Sequence, residues 1–153
     1  MMYLGLDPGA SGGIAVIYDG GFTVAYSMPE TDKEILDLIK EFAPPSEEKG
    51  SEVFACIEKL NAMSPGRQAC FQLGQSYGKL KMALIACGIP YSEVLPAAWQ
   101  KAVGCPSAKG RTYAQRKALL RARAQALYPL VNVTNKTADA LLIAHFIKQT
   151  RIP

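Results

Sequence analysis

The 153-residue chain contains one histidine, His145, and one tryptophan, Trp99, and no two of its four cysteines form a C-x-x-C pair. A zinc site built from Cys and His is therefore excluded, because Cys56, Cys70, Cys87 and Cys105 lie far apart and have a single imidazole to join them. They read as reduced, mostly buried thiols. No apolar run approaches the length of a membrane span, and the N-terminus lacks the basic, apolar, small-residue order of a secretory signal, so a soluble intracellular protein is expected. Repeats, low-complexity segments and linkers are missing too. With 49% hydrophobic residues the chain has the size and composition of one compact domain with a substantial core.

Carboxylates are missing from one long stretch. The formal net charge is only +4, but acids dominate residues 30–58, whereas in residues 101–123 every side chain charged at neutral pH is a cation, with no carboxylate: Lys101, Lys109, Arg111, Arg116, Lys117, Arg121 and Arg123. Such a block is expected to meet a polyanion, the alternative being a solvated helix face.

The apolar pattern predicts short strands over residues 3–6, 14–18 and 22–27, the last two forming a hairpin around Asp19-Gly20-Gly21. A helix follows from Thr31, with Glu34 completing a capping box, and Pro44-Pro45 stops it. After a polar loop at 46–51, residues 53–58 form a continuous apolar run typical of a central strand covered on both faces. A loop at 64–66 precedes a long helix over 68–87. Gly74 and Gly78 inside it imply close backbone approach, either to the sheet or to a second subunit, since each mid-helix glycine costs about 1 kcal/mol. Then come a strand at 91–95, a short helix at 96–103, a loop at 104–110, the basic helix at 112–128, and a last helix from Thr134 or Asn135 to about Lys148. This order predicts an α/β fold, one mixed sheet flanked by helices on both faces.

Three carboxylates stand where folding alone would not put them. Asp7 follows directly on a buried-type strand, Glu58 ends the most apolar strand, and Asp139 lies in the first turns of an apolar helix. Burying an unpaired carboxylate is expensive. If the strands ending at Asp7 and Glu58 are parallel neighbours, about 4.8 Å apart, their last side chains meet at one sheet edge and the final helix can bring Asp139 over them. Clustered anions need cations between them, and oxygen ligands suit Mg²⁺ or Mn²⁺. Two such ions about 4 Å apart are a standard device for phosphodiester hydrolysis. The turn at residues 8–13 carries little side-chain bulk, which lets a phosphate backbone come close.

These segments resemble the RuvC-type Holliday junction resolvases of the ribonuclease H superfamily. Leu4-Gly5-Leu6-Asp7-Pro8-Gly9-Ala10-Ser11-Gly12-Gly13 is similar to the family's opening motif, Ile57-Glu58-Lys59 to its second acidic motif, Leu73-Gly74-Gln75-Ser76-Tyr77-Gly78 to the helix after it, and Ala138-Asp139-Ala140-Leu141-Leu142-Ile143-Ala144 to its C-terminal motif. In length the chain resembles phage and plastid members more than the bacterial enzyme. The resemblance implies a ribonuclease H-like mixed five-stranded sheet, a homodimer, and two-metal cleavage of four-way junction DNA with Asp7, Glu58 and Asp139 as ligands. It also implies that Asn61, Ser64, Arg67 and Gln68 face the junction core, and that Lys101, Lys109, Arg111, Arg116 and Lys117 grip phosphates.

One departure stands out. Family members carry an acid or histidine three or four residues before the position of Asp139, where this chain has Asn135 and Lys136. Asn135 is either a weak, uncharged fourth ligand or a helix cap. His145, Trp99, Phe71 and Tyr77 read as packing or surface residues. Three rival readings remain: a sugar-kinase or actin-like ATPase, which would need a second domain; a non-catalytic junction-binding protein; and another ribonuclease H-fold nuclease or transposase.

Overall fold

The computed structural model describes residues 1–44, 52–60 and 66–151. The polar loop expected at 46–51 and the expected DNA-facing residues Asn61 and Ser64 fall outside these. One five-stranded sheet runs in the order β3-β2-β1-β4-β5. It consists of β1 (Met2–Asp7), β2 (Gly13–Tyr18), β3 (Thr23–Ser27), β4 (Val53–Glu58) and β5 (Tyr91–Val94). The first three strands are antiparallel, while β4 lies parallel to β1 and β5 parallel to β4.

Alternation along β1 assigns its faces. Leu4 and Leu6 point to one core, shared with Ile14, Val16, Ala55 and Ile57 and covered by α1 (Asp32–Lys40) and α2 (Arg67–Ala86). Tyr3 and Cys56 point to the other, where α3 (Pro96–Ala102), α4 (Tyr113–Leu127) and α5 (Ala138–Arg151) pack. By the same parity Asp7 and Glu58 project toward α5. Helices thus cover both faces, as expected for the mixed α/β sheet.

Local signals explain the helix ends. Thr31 and Glu34 form the capping box of α1, and Thr112 with Gln115 forms a second one on α4. Before α5, Thr134 Oγ1 accepts from the Thr137 backbone N–H while Thr137 Oγ1 accepts from that of Thr134. Residues 135–137 make a turn, so the regular helix begins at Ala138, later than expected, and continues to Arg151. Every residue from 138 to 144 is buried.

Close backbone approach is real, but at other glycines. A Cβ at Gly5 would overlap the Ala140 carbonyl and the Ala144 amide, so α5 lies with its main chain directly on β1. A Cβ at Gly13 would strike the carbonyls of Tyr26 and Lys136, which seats the turn before α5 on the start of β2. Among the described residues, nothing lies within 4 Å of the Cβ position at Gly74 or Gly78. They do not pack on the sheet. Two further expectations are corrected: only Cys56 of the four cysteines is buried, and Phe71, expected in the core, is 66% exposed on the outer side of α2.

Candidate functional site

The pairing of Leu6 with Ile57 makes Asp7 and Glu58 the next residues along two parallel strands, both directed toward α5. The first turn of α5 delivers Asp139 to the same place. All three line one cleft of about 470 Å³, with Pro8, Ser11, Arg116 and Lys117 among its other walls. Asp7 and Asp139 are only 8% and 7% exposed. The turn after Asp7 is held by α2, since the Gly9 backbone N–H donates to Ser76 Oγ at 2.8 Å. Gly9 itself has φ 113°, a backbone conformation that favours glycine.

Electrostatics set these carboxyls apart. Burial pushes the Asp7 carboxyl well above the usual carboxylate range, and the charges of Asp139 and Glu58 add to the effect against an opposing Lys117. Burial likewise pushes Glu58 up to about 6, opposed by a hydrogen bond from Trp99 Nε1 to Glu58 Oε2 at 2.7 Å. That bond gives Trp99 a second task. The residue is fully buried packing, as expected, yet its indole also holds a cleft carboxylate in place.

Lys117 was expected to grip a phosphate. Its side chain turns inward instead, 18% exposed, and Nζ pairs with Asp139 Oδ2 at 2.5 Å. Among the described residues, Asp139 Oδ1 is buried with no hydrogen-bond partner. An orphaned anionic oxygen beside two more carboxyls is an unfilled acceptor, and the donor set is hard oxygen throughout. The donors suit a divalent cation. They are not gathered into a ligating group, since among the described residues no three His, Cys, Asp or Glu side chains are close enough to hold one ion. The Lys117 ammonium compensates the charge of Asp139 in this arrangement.

The other expected residues are spread more widely. Arg116 lines the acidic cleft and lies over the Tyr113 ring at 5.9 Å. Arg67 and Gln68 are exposed at the start of α2, and Lys101, Lys109 and Arg111 are exposed around α3 and the loop before α4. Arg111 donates back to the Ser107 carbonyl. Asn135 is exposed and lines a neighbouring groove rather than the acidic cleft. His145, far along α5, shares a 2.7 Å hydrogen bond with the Tyr128 hydroxyl and takes no part in the cleft.

Sheet order and the packing of α5 on β1 match the ribonuclease H-like α/β fold. Two solved structures of Thermus thermophilus RuvC share it. One, in complex with a Holliday junction substrate, matches with a TM-score of 0.64 and 19% identity, covering 99% of this chain and 96% of that one. The other gives 0.58 and 18%, covering 98% and 96%. At such identity the likeness is one of fold. No protein-family model matches the chain, and no curated protein sequence does. Among the described residues no helix is long and apolar enough to cross a membrane.

Proposed function

We propose that the chain is an endonuclease that cuts four-way DNA junctions at the Asp7, Glu58 and Asp139 cleft. The observation that carries this reading is that three carboxyls, one with an orphaned buried oxygen, line one cleft on the fold of RuvC. Asp7, Glu58 and Asp139 would hold two Mg²⁺ or Mn²⁺ ions, which when bound polarise a phosphodiester and activate water. The chain's own part is to place the ligands, to keep bulk away from the cleft mouth at residues 8–13, and to supply Arg116 for the phosphate. Lys117 would have to leave Asp139 Oδ2 as the ions enter. Incubation of labelled four-way junction, linear duplex and flap DNA with protein and Mg²⁺ or Mn²⁺ tests the reading. Symmetric nicks confined to the junction are expected, and a protein that cuts none of the three substrates contradicts it.

A junction-binding protein without cleavage is the second reading, and the ion pair of Lys117 with Asp139 favours it. In that case junction affinity would persist and no divalent ion would yield product.

The proposed assembly is a homodimer through α2. At about 100° per residue, Phe71, Gly74, Gly78, Met82 and Ile85 fall within an arc of about 80° on the helix face opposite the buried Leu80, Ala83 and Leu84. Phe71, Met82 and Ile85 are all more than half exposed, and the two glycines would let a second helix approach closely. Closed two-fold symmetry suits a near-symmetric junction. Gly78→Glu is expected to shift sedimentation at micromolar concentration from dimer to monomer with the far-UV spectrum unchanged. A monomeric wild-type protein, with and without junction, would rule the assembly out.

A further inference from the structure

On the other side of Lys117 from the acidic cleft lies a second groove of about 640 Å³. Its floor is one stripe of α4, where Ala114, Ala118 and Ala122 recur every four residues and leave the helix surface low. Its far wall is the turn before α5, at Asn135 and Lys136, which Gly13 seats against β2. Among the described residues no carboxylate lines it. Arg121 and Lys136 do, both exposed and, among the described residues, neither in an ion pair. The stem of Arg121 is fixed by donation from Nε to the Val133 carbonyl at 3.1 Å, which leaves the two terminal nitrogens of the guanidinium for an anion. Ser11, Tyr113 and Lys117 border both this groove and the acidic cleft, so the two are continuous. Tyr113 stands 64% exposed at the divide.

We infer that this groove carries the sugar-phosphate backbone of the strand whose neighbouring phosphate lies in the acidic cleft, with Arg121 and Lys136 on successive phosphates and the Tyr113 ring against a base. The inference rests on the nuclease reading and adds to it the path of the strand. The alanine stripe is about 12 Å long at 1.5 Å per residue, the axial length of about three stacked nucleotides. A low, side-chain-poor floor between cations suits a backbone, and an exposed aromatic at its entrance suits an unstacked base.

The test is binding in chelator, where cleavage plays no part, read by fluorescence anisotropy of labelled junction and single-stranded DNA across a salt series. The double variant Arg121→Ala, Lys136→Ala is expected to flatten the slope of log affinity against log salt by about 1.4 to 1.8, at 0.7 to 0.9 per phosphate contact. Tyr113→Ala is expected to weaken single-strand binding about tenfold with little change in slope. Because Arg121 also anchors the Val133 loop, Lys136→Glu and Ala118→Glu serve as variants that leave that hydrogen bond intact, and both should weaken binding. Wild-type binding with an unchanged slope in the double variant and unchanged affinity in Lys136→Glu and Ala118→Glu overturns the groove while sparing the nuclease reading. A wild-type protein that binds neither DNA overturns both. Displacement of DNA by a poly-glutamate peptide that loses its effect in Lys136→Glu, with unaltered DNA binding by that variant, assigns the groove to an acidic protein partner instead.

Discussion

Asp7→Asn is expected to reduce junction cleavage at least about a thousandfold while leaving junction affinity in chelator within about tenfold. The amide keeps the shape and one oxygen of a side chain that is 8% exposed at the end of β1, so the fold has no reason to change. What disappears is one full negative charge from a cleft whose other acids are Glu58 and Asp139. Metal-assisted stabilisation of the reacting phosphate is worth several kcal/mol, and 1.36 kcal/mol corresponds to a factor of ten. Binding in chelator should hardly register the loss, because contacts to phosphates supply most of it. Glu58→Gln should behave alike, since its amide oxygen can still accept from Trp99 Nε1. Single-turnover cleavage with labelled junction checks both variants, and wild-type rates in either would remove the cleft from the chemistry.

Stability should fall as pH rises from 5 to 7.5 in chelator, and added Mg²⁺ should restore it at the upper end only. Asp7 and Glu58 are both raised in the folded state, chiefly by burial. A raised carboxyl binds its proton more tightly folded than unfolded, so its stabilising contribution is complete below the ordinary value and is lost as pH rises through the folded one. For Glu58 that window runs from 4.5 to about 6. A shift of this size corresponds to about 2 kcal/mol, or about 4–8 °C in Tm for a chain of this length. Asp7 adds in the same direction. Glu34 and Asp37, which hydrogen bonds from Thr31 and Lys33 hold below their ordinary values, act only at more acidic pH, whereas His145, held below the ordinary imidazole value chiefly by burial, gains stability with rising pH inside the window and opposes the two cleft carboxyls. Mg²⁺ selects the ionised cleft, and at a hundred times its Kd it would contribute about 2.7 kcal/mol. Asp7→Asn should therefore melt higher than wild type in chelator at pH 7.5 and respond less to Mg²⁺. Thermal melts at pH 5 and 7.5, with and without Mg²⁺, check this. His145 contributes equally to wild type and Asp7→Asn, so a pH dependence of Tm in chelator that is identical in the two would mean that the cleft carboxyls are already compensated.

The strand-end acids were legible because two independent rules select them. An apolar run must stop where it meets a charge, and the period-two alternation that sends Tyr3 and Cys56 to one face sends Asp7 and Glu58 there too. Capping at Thr31 was equally plain, being local chemistry. The basic stretch was legible as a helix but not as a set of orientations. Nothing local tells Lys117, which turns in to Asp139, from Arg116, which stays exposed, because the difference is made by α5 packing beside α4. Trp99 was read correctly as core, and its hydrogen bond to Glu58 joins residues 41 apart in sequence. A usable signal existed there: a buried indole N–H needs an acceptor, and the acid ending the neighbouring strand was available. Of the two readings of the helix glycines, the sheet falls away and the second subunit is left, for a related reason. In a helix a glycine signals room, whatever fills it, and at Gly74 and Gly78 the room faces outward.

Gly5 gives the cleft one stiff side and one compliant side. Asp7 and Asp139 hang from two stretches of main chain in direct contact, β1 against the Ala140 carbonyl and the Ala144 amide, and main chain has no rotamers through which to drift. Glu58 is held from the other flank by a side chain, Trp99, and Lys117 reaches in along a flexible stem. An ion entering the cleft would then be accommodated by movement of Glu58 and Lys117 and by rotation of the two aspartate side chains, with the main chain that carries the aspartates staying in place. Discrimination between a smaller and a larger cation would then depend on how far the Trp99 hinge yields, and core substitutions around α3 would tune ion preference from a distance while those beneath β1 would not.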